Sequence, residues 1–260
     1  ERGVYNGLVK VTENLSSTNP KVKKFSESQI LDIFTKACNL SIIDDIGWNY
    51  IDRMHDFTVE ISKPQITIPT GYKWLDRMLN GGWLAEGKAL YLFQAGTNVG
   101  KSIMLANLAA NAFLAGKNVA LATLEMSEIM YTSRIVAKIN GLDVNTLKQH
   151  TVQIENNTKV LKSQGAGTLI IKEFPTKATT VSRLSAWLEQ VERSGIKPDI
   201  LIVDYLNILH PGREVNNTYE DGKICSEQLR ALTYQFKCPC ISATQLNRKG
   251  MKTENAGLED

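Results

Sequence analysis

Eight consecutive residues, Ala95-Gly96-Thr97-Asn98-Val99-Gly100-Lys101-Ser102, restrict this chain more than any other stretch. They follow the apolar run Ala89-Leu90-Tyr91-Leu92-Phe93 and precede Ile103-Met104-Leu105-Ala106, the start of an apolar helical pattern. A buried strand therefore feeds a loop whose backbone N–H groups can turn inward, and the following helix points its positive dipole end at the same place. That is the setting of a phosphate-binding loop. Gly96 and Gly100 remove the Cβ atoms that would block a phosphate, Lys101 reaches toward β- and γ-phosphates, and the Ser102 hydroxyl takes a Mg²⁺ position. The loop from Ala95 to Ser102, with Thr97, Asn98 and Val99 between the glycines, is the candidate site for ATP. Ala95 stands where such loops usually begin with glycine, which is tolerable if this residue is still strand-like with negative φ.

A phosphate loop needs partners on neighbouring strands, and the sequence offers three. Residues 200–204 read Ile-Leu-Ile-Val-Asp, an all-apolar strand of the kind a sheet covered on both faces requires. An acid at its C-terminal end, Asp204, can hold Mg²⁺ through water opposite the loop. Residues 118–124 form a second such strand, ending in Glu125-Met126-Ser127. Taken as lying beside the phosphate-loop strand, it puts Glu125 where a general base on water would act; a solvated strand-end Glu favouring the next helix is the other reading. The last strand, residues 239–244, ends in Gln245-Leu246-Asn247-Arg248-Lys249, so Gln245 can touch a γ-phosphate. Arg248, Lys249 and Lys252 then form a local positive patch suited to nucleic-acid phosphates, or simply a solvated loop, and Arg213 and Lys223 lie in the polar stretch 210–223.

Strands alternate with helical patterns throughout. Apolar spacing marks helices at residues 72–79, 103–116, 127–140 (carrying Arg134), 181–195 and 224–236, and a strand at 168–174, which together make an α/β fold with a mainly parallel sheet flanked by helices. The 260 residues are 43% hydrophobic and carry a formal charge of only +3, so any nucleic-acid contact must be local. Cys38, Cys225, Cys238 and Cys240 have no metal-ligand spacing and read as reduced thiols of a cytoplasmic protein. No apolar run approaches membrane-spanning length, so a membrane partner is not expected. The first residue is Glu1 rather than Met, as in a piece of something longer.

Upstream of the core the pattern is sparser. Val4, Leu8, Val11 and Leu15 give a weak helix, broken at Ser16-Ser17-Thr18-Asn19-Pro20, with Lys21, Lys23 and Lys24 keeping the linker solvated. Ser26 and Gln29 then form a capping-box pair with Phe25 and Ile30 at the staple positions, which starts a helix carrying Ile30, Ile33, Phe34 and Ala37. That stripe cannot form a core alone and must pack on its own domain, as a brace, or on a neighbouring subunit. The organisation expected is residues 1–24 as the end of an N-terminal helical region and linker, 25–60 as linker helix and cover segment, and 61–260 as the nucleotide-binding core.

Several motifs recur together in one known family. Pro69-Thr70-Gly71 with Leu75-Asp76, the Ala-initiated loop, Leu124-Glu125-Met126-Ser127 with Arg134, Val203-Asp204-Tyr205-Leu206, Leu229-Arg230-Ala231-Leu232 and Thr244-Gln245-Leu246-Asn247-Arg248 resemble, in order and spacing, the DnaB-family replicative helicases, most of all those of T-even-type phages. The resemblance covers roughly residues 60 to 250. It implies a RecA-like P-loop NTPase core in a homo-hexameric ring around single-stranded DNA, with each ATP between two subunits and with primase and a helicase loader as partners, in the host cytoplasm if phage-encoded. It further implies that Lys101, Ser102 and Asp204 bind Mg-ATP, that Glu125 activates water, that Gln245 senses the γ-phosphate, and that the loops after Asp204 and Gln245 line the channel. Under it the Ser26 helix is the linker helix that docks on the adjacent subunit. Family members continue past residue 260 into a basic hairpin carrying an arginine finger, so this piece is expected to bind nucleotide better than it hydrolyses it. The rival class is a RecA-like regulatory or recombination-mediator ATPase that binds DNA or protein without unwinding.

Overall fold

The computed structural model describes residues 2–17, 24–26, 29, 30, 33, 49–212 and 218–245. The chain divides into two compact units, Glu1–Pro64 and Gln65–Asp260.

In the first unit, α1 (Arg2–Ser16) buries Val11 and is closed by a lysine. The Lys24 ammonium donates to the carbonyls of Asn14 at 2.9 Å and Ser17 at 2.7 Å, where orphan carbonyls and the negative dipole end both favour a cation. Lys24 is thus a helix cap and not the freely solvated linker charge its sequence setting predicts. The capping box is present in both directions. The Ser26 N–H donates to Gln29 Oε1 at 3.0 Å, and the Gln29 N–H to Ser26 Oγ at 3.4 Å. Beyond residues 29, 30 and 33, the helix predicted to follow lies outside the described residues, as does Cys38. A short helix, α2 (Met54–Ser62), ends the unit.

The second unit opens with a two-residue ribbon. Strand β1 (Thr67–Ile68) pairs antiparallel with β2 (Trp83–Leu84) around α3 (Lys73–Met78). Asp76 accepts from the Thr70 N–H at 2.6 Å, which ties α3 back to the strand before it. Five strands follow: β3 (Leu90–Ala95), β4 (Val119–Thr123), β5 (Leu169–Glu173), β6 (Ile200–Asp204) and β7 (Cys240–Gln245). All pair in parallel, in the order β3-β7-β6-β4-β5. Between them run α4 (Lys101–Leu114), α5 (Glu128–Asn140), α6 (Thr151–Ser163), α7 (Val181–Arg193) and α8 (Thr218–Phe236).

The apolar strands are apolar throughout because alternate side chains serve two cores. Ala120, Ala122, Leu201, Val203 and Cys240 meet Leu184 and Leu188 of α7 and Leu229 and Phe236 of α8. Val119, Leu121, Ile200, Ile202 and Ile241 meet Leu105, Leu108 and Ala109 of α4 and Tyr131 and Ile135 of α5. Small residues on the buried face of α4, Ala106, Ala109, Ala110 and Ala112, let its backbone lie close against the sheet.

Two expectations need correction. The strand leading to Glu125 does not lie beside the phosphate-loop strand, because β7 and β6 sit between β3 and β4. Chain order does not set sheet order when crossovers can skip places that later strands fill. Helix α8 starts at Thr218 rather than residue 224, so Lys223 sits on a helix and not in a polar loop. Its first turn carries Glu220 and Asp221, acids that favour a helix N-terminus.

Candidate active site

Parallel pairing brings the C-terminal ends of four strands to one rim. Ala95 is level with Gln245, and Thr123 is level with Asp204. In open α/β sheets this rim is where ligands bind.

The loop from β3 to α4 begins with Ala95 as the last residue of β3, outside the left-handed region. The two residues that do enter that region are Asn98 (φ 60°) and Gly100 (φ 95°). Gly100 is the N-cap of α4 and offers no side-chain cap, so the first N–H groups of the helix remain open to an anion. The Lys101 ammonium donates to the Gly96 carbonyl at 2.8 Å and stands 5.6 Å from the Tyr205 ring centroid. Its charge is therefore held over the loop rather than away from it.

Asp204 closes β6 with its side chain at 0% exposure, and neither carboxylate oxygen has a hydrogen-bond partner. Burial raises its pKa, the negative charge of Glu125 adds to this, and the nearby hydroxyls of Ser102 and Tyr131 together with Arg134 oppose it. The two hydroxyls stand close enough to favour the charge without forming hydrogen bonds of good geometry. Tyr131, fully buried on α5, donates instead to the Ser102 carbonyl at 3.3 Å. Its own pKa is driven well up, first by burial and then by Asp204. A buried, unpartnered carboxylate beside a serine hydroxyl is chemically suited to a hard divalent cation such as Mg²⁺. Among the described residues no group of three or more His, Cys, Asp and Glu is placed to hold a metal ion.

Glu125 is exposed, on a turn fixed from behind. Thr123 Oγ1 donates to the Met126 carbonyl at 2.9 Å and accepts from the Met126 N–H at 3.1 Å, while the Leu124 N–H donates to the Asp204 carbonyl at 2.8 Å. Ser127 then caps α5 by accepting from the Met130 N–H. The carboxylate is thus presented by a pinned turn between β4 and α5.

Gln245 reaches back over the loop. Its Nε2 donates to Thr97 Oγ1 at 3.0 Å, its Oε1 accepts from the Tyr205 hydroxyl at 3.2 Å, and its backbone N–H donates to Asn207 Oδ1 at 3.0 Å. Burial, then the charges of Glu125 and Asp204, raise the Tyr205 pKa. Lys101, Ser102, Glu125, Arg134, Tyr205 and Gln245 share one cleft of about 330 Å³, with Asp204 sealed just beneath it.

Tyr205 and Arg134 enter the sequence reading only as parts of motifs, with no role. Their signal was position: Tyr205 directly follows the strand-end acid, and Arg134 lies seven residues past the cap of α5. Of the basic residues singled out for nucleic acid, Lys223 is exposed on α8, and Arg213, Arg248 and Lys249 lie outside the described residues. No described helix is long and apolar enough to cross a membrane.

The chain is similar to known proteins over most of its length. Residues 67–256 match the family model described as the DnaB-like helicase C terminal domain. The chain is 26% identical over 273 residues to the DnaB-like replicative helicase of Enterobacteria phage T4, covering 100% of this chain and 57% of that protein. It is 27% identical over 207 residues to the replicative DNA helicase DnaB of Geobacillus stearothermophilus, covering 77% of this chain and 43% of that one. The chain therefore spans about half the length of these curated relatives. Among solved structures, one described as an ATPase domain superposes with a TM-score of 0.64 at 19% identity, over 82% of this chain and 76% of that one. A DnaB-like replicative helicase described with its interactions with primase gives 0.62 at 17%, over 98% and 60%.

Proposed function

This chain belongs to the family of DnaB-like helicase C-terminal domains, and from that premise we propose that it is the ATP-driven motor of a replicative DNA helicase. The observation that carries the proposal is the single cleft shared by Lys101, Ser102, Glu125 and Gln245, with the unpartnered Asp204 carboxylate beneath it. A cleft built only to hold a nucleotide needs the loop and the cation ligand; a carboxylate base and a strand-end amide at the same place add hydrolysis and its readout.

In this reading the open N–H groups at the start of α4 and the Lys101 ammonium bind the triphosphate. Ser102 and Asp204 would hold Mg²⁺, which when bound neutralises charge on the phosphate oxygens. Glu125 accepts the proton of the attacking water as its oxygen bonds to the γ-phosphorus and the bond to the departing ADP oxygen breaks. Arg134 offers positive charge from α5 on the same side as Glu125. Gln245 contacts the γ-phosphate and, being the last residue of β7, passes its loss to the segment that follows.

Single-stranded DNA is the proposed track, contacted by Arg213, Lys223, Arg248 and Lys249. A homo-hexamer is the proposed assembly, with primase and a helicase loader as partners. Residues 61–260 are read as the motor core and 25–60 as the linker that docks on a neighbouring subunit. Family membership favours this over a regulatory or recombination-mediator ATPase.

The test is ATP hydrolysis with and without single-stranded DNA by the protein carrying this chain, as wild type, Lys101→Ala and Gln245→Ala. Stimulation by DNA is expected in the wild type. Lys101→Ala should lose nucleotide binding, and Gln245→Ala should keep it while losing stimulation. A wild type indifferent to DNA would favour the regulatory reading.

A further inference from the structure

A carboxamide at the rim of a triphosphate cleft is ambiguous, since it can present either an acceptor oxygen or a donor nitrogen. Only the nitrogen attracts a phosphate oxygen. Gln245 is gripped from two sides by the segment leaving β6. Asn207 Oδ1 accepts from its backbone N–H at 3.0 Å, and the Tyr205 hydroxyl donates to its Oε1 at 3.2 Å. With the oxygen engaged, the nitrogen faces the phosphate loop, where one of its two protons goes to Thr97 Oγ1 at 3.0 Å. The other has no partner among the described residues, and Thr97, Tyr205 and Gln245 all line the same cleft.

We propose that Tyr205 is the positioning residue that makes Gln245 a selective donor to the terminal phosphate. By occupying Oε1 it commits Nε2 to the loop side, so the second N–H is directed to an oxygen that a triphosphate has and a diphosphate lacks. Thr97 completes the arrangement by fixing the plane of the amide, and the Tyr205 ring keeps the Lys101 charge nearby. Tyr205 and Asn207 lie on the segment leaving Asp204, so the amide is tied to that segment as well as to its own strand. The inference rests on the reading of the cleft as an ATP site and deepens it, since neither a phosphate loop nor a strand-end glutamine by itself dictates discrimination between ATP and ADP.

The experiment is fluorescence titration of the protein with a non-hydrolysable ATP analogue and with ADP, both with magnesium, for wild type, Tyr205→Phe, Gln245→Ala and the double variant. Tyr205→Phe keeps the ring beside Lys101 and removes only the hydroxyl. The ratio of triphosphate to diphosphate affinity is expected to fall roughly tenfold in each single variant, the scale of one lost hydrogen bond to a charged group. It should fall no further in the double variant, because Tyr205 acts through Gln245. ADP affinity should be unchanged in Tyr205→Phe, which a merely structural loss would not preserve. Thr97→Val, which removes the other hydroxyl, gives an independent route to the same ratio if Tyr205→Phe does not fold. An unchanged ratio in the single Tyr205 or Thr97 variant, or losses that add in the double variant, would overturn the inference. Because DNA is absent from this assay, the motor reading can fail its own test while this result stands. A wild type that binds neither nucleotide would overturn both.

Discussion

Asp204 has a carboxylate with no hydrogen-bond partner and no exposure, held by a strand that is otherwise entirely apolar. An unpaired buried charge is a liability that a structural residue would not keep. Asp204→Asn removes the charge and places an NH₂ beside the Ser102 and Tyr131 oxygens, so the nucleotide-free protein should become more stable by roughly 1–3 kcal/mol in a urea titration. The same variant should lose the gain in nucleotide affinity that magnesium brings, measured by titration with and without the cation. A destabilised variant would mean that Asp204 is held by partners other than a cation. That an acid closes this strand is legible in the sequence, because an acid after four apolar residues stands out. Its surroundings are not, since Tyr131 and Ser102 reach it from two other elements. Nor was the Gln245–Thr97 contact, which joins residues far apart in the chain through a register that only the folded sheet sets.

Elements were legible wherever local chemistry and tertiary packing agree. Helix α5 runs between a Ser127 cap and Gly141 in the left-handed region, and α7 starts at the Thr180 cap and shows five buried positions at helical spacing. Helix α8 was legible only from its buried half, because Gly222 and the polar residues around it carry no apolar signal. The isoleucines and prolines of residues 64–69 mark an extended entry that contains β1, but its pairing with β2 is not legible, because two-residue strands have too few residues to alternate. The balance between packing and capping can be measured on α7. Leu188 is 0% exposed between α7 and the sheet, so Leu188→Ala should cost about 2–5 kcal/mol through lost transfer energy and a cavity. Thr180→Ala removes one cap bond, at 3.3 Å to the Arg183 N–H, and should cost about 1 kcal/mol. Chemical denaturation of both variants checks the order. A larger loss from the cap than from the leucine would mean that α7 is held by its start rather than by its face.

Over the whole molecule, alternating strands and helices announced a parallel sheet covered on both faces, yet not the order of its strands. The short connection from β3 to β4 skips two places, which β6 and β7 fill later, whereas the long stretch between β4 and β5 returns to an adjacent position. Nothing local distinguishes a crossover that skips from one that does not, so the sequence places Glu125 at a strand end on this rim but not beside its true neighbours, β6 and β5. This order has a consequence for how a ligand stabilises the chain. A nucleotide at the rim would touch α4 from the loop side and the ends of β7, β6 and β4 from the other, all within Gln65–Asp260. At a hundred times its Kd such a ligand adds about 2.7 kcal/mol to the state that binds it. Hydrogen exchange with magnesium and a non-hydrolysable ATP analogue should therefore show added protection in α4 and at the C-terminal ends of β4, β6 and β7. Lys101→Ala should abolish the difference. Protection that leaves these strand ends unchanged, or that persists in Lys101→Ala, would move the binding determinants away from the strand rim.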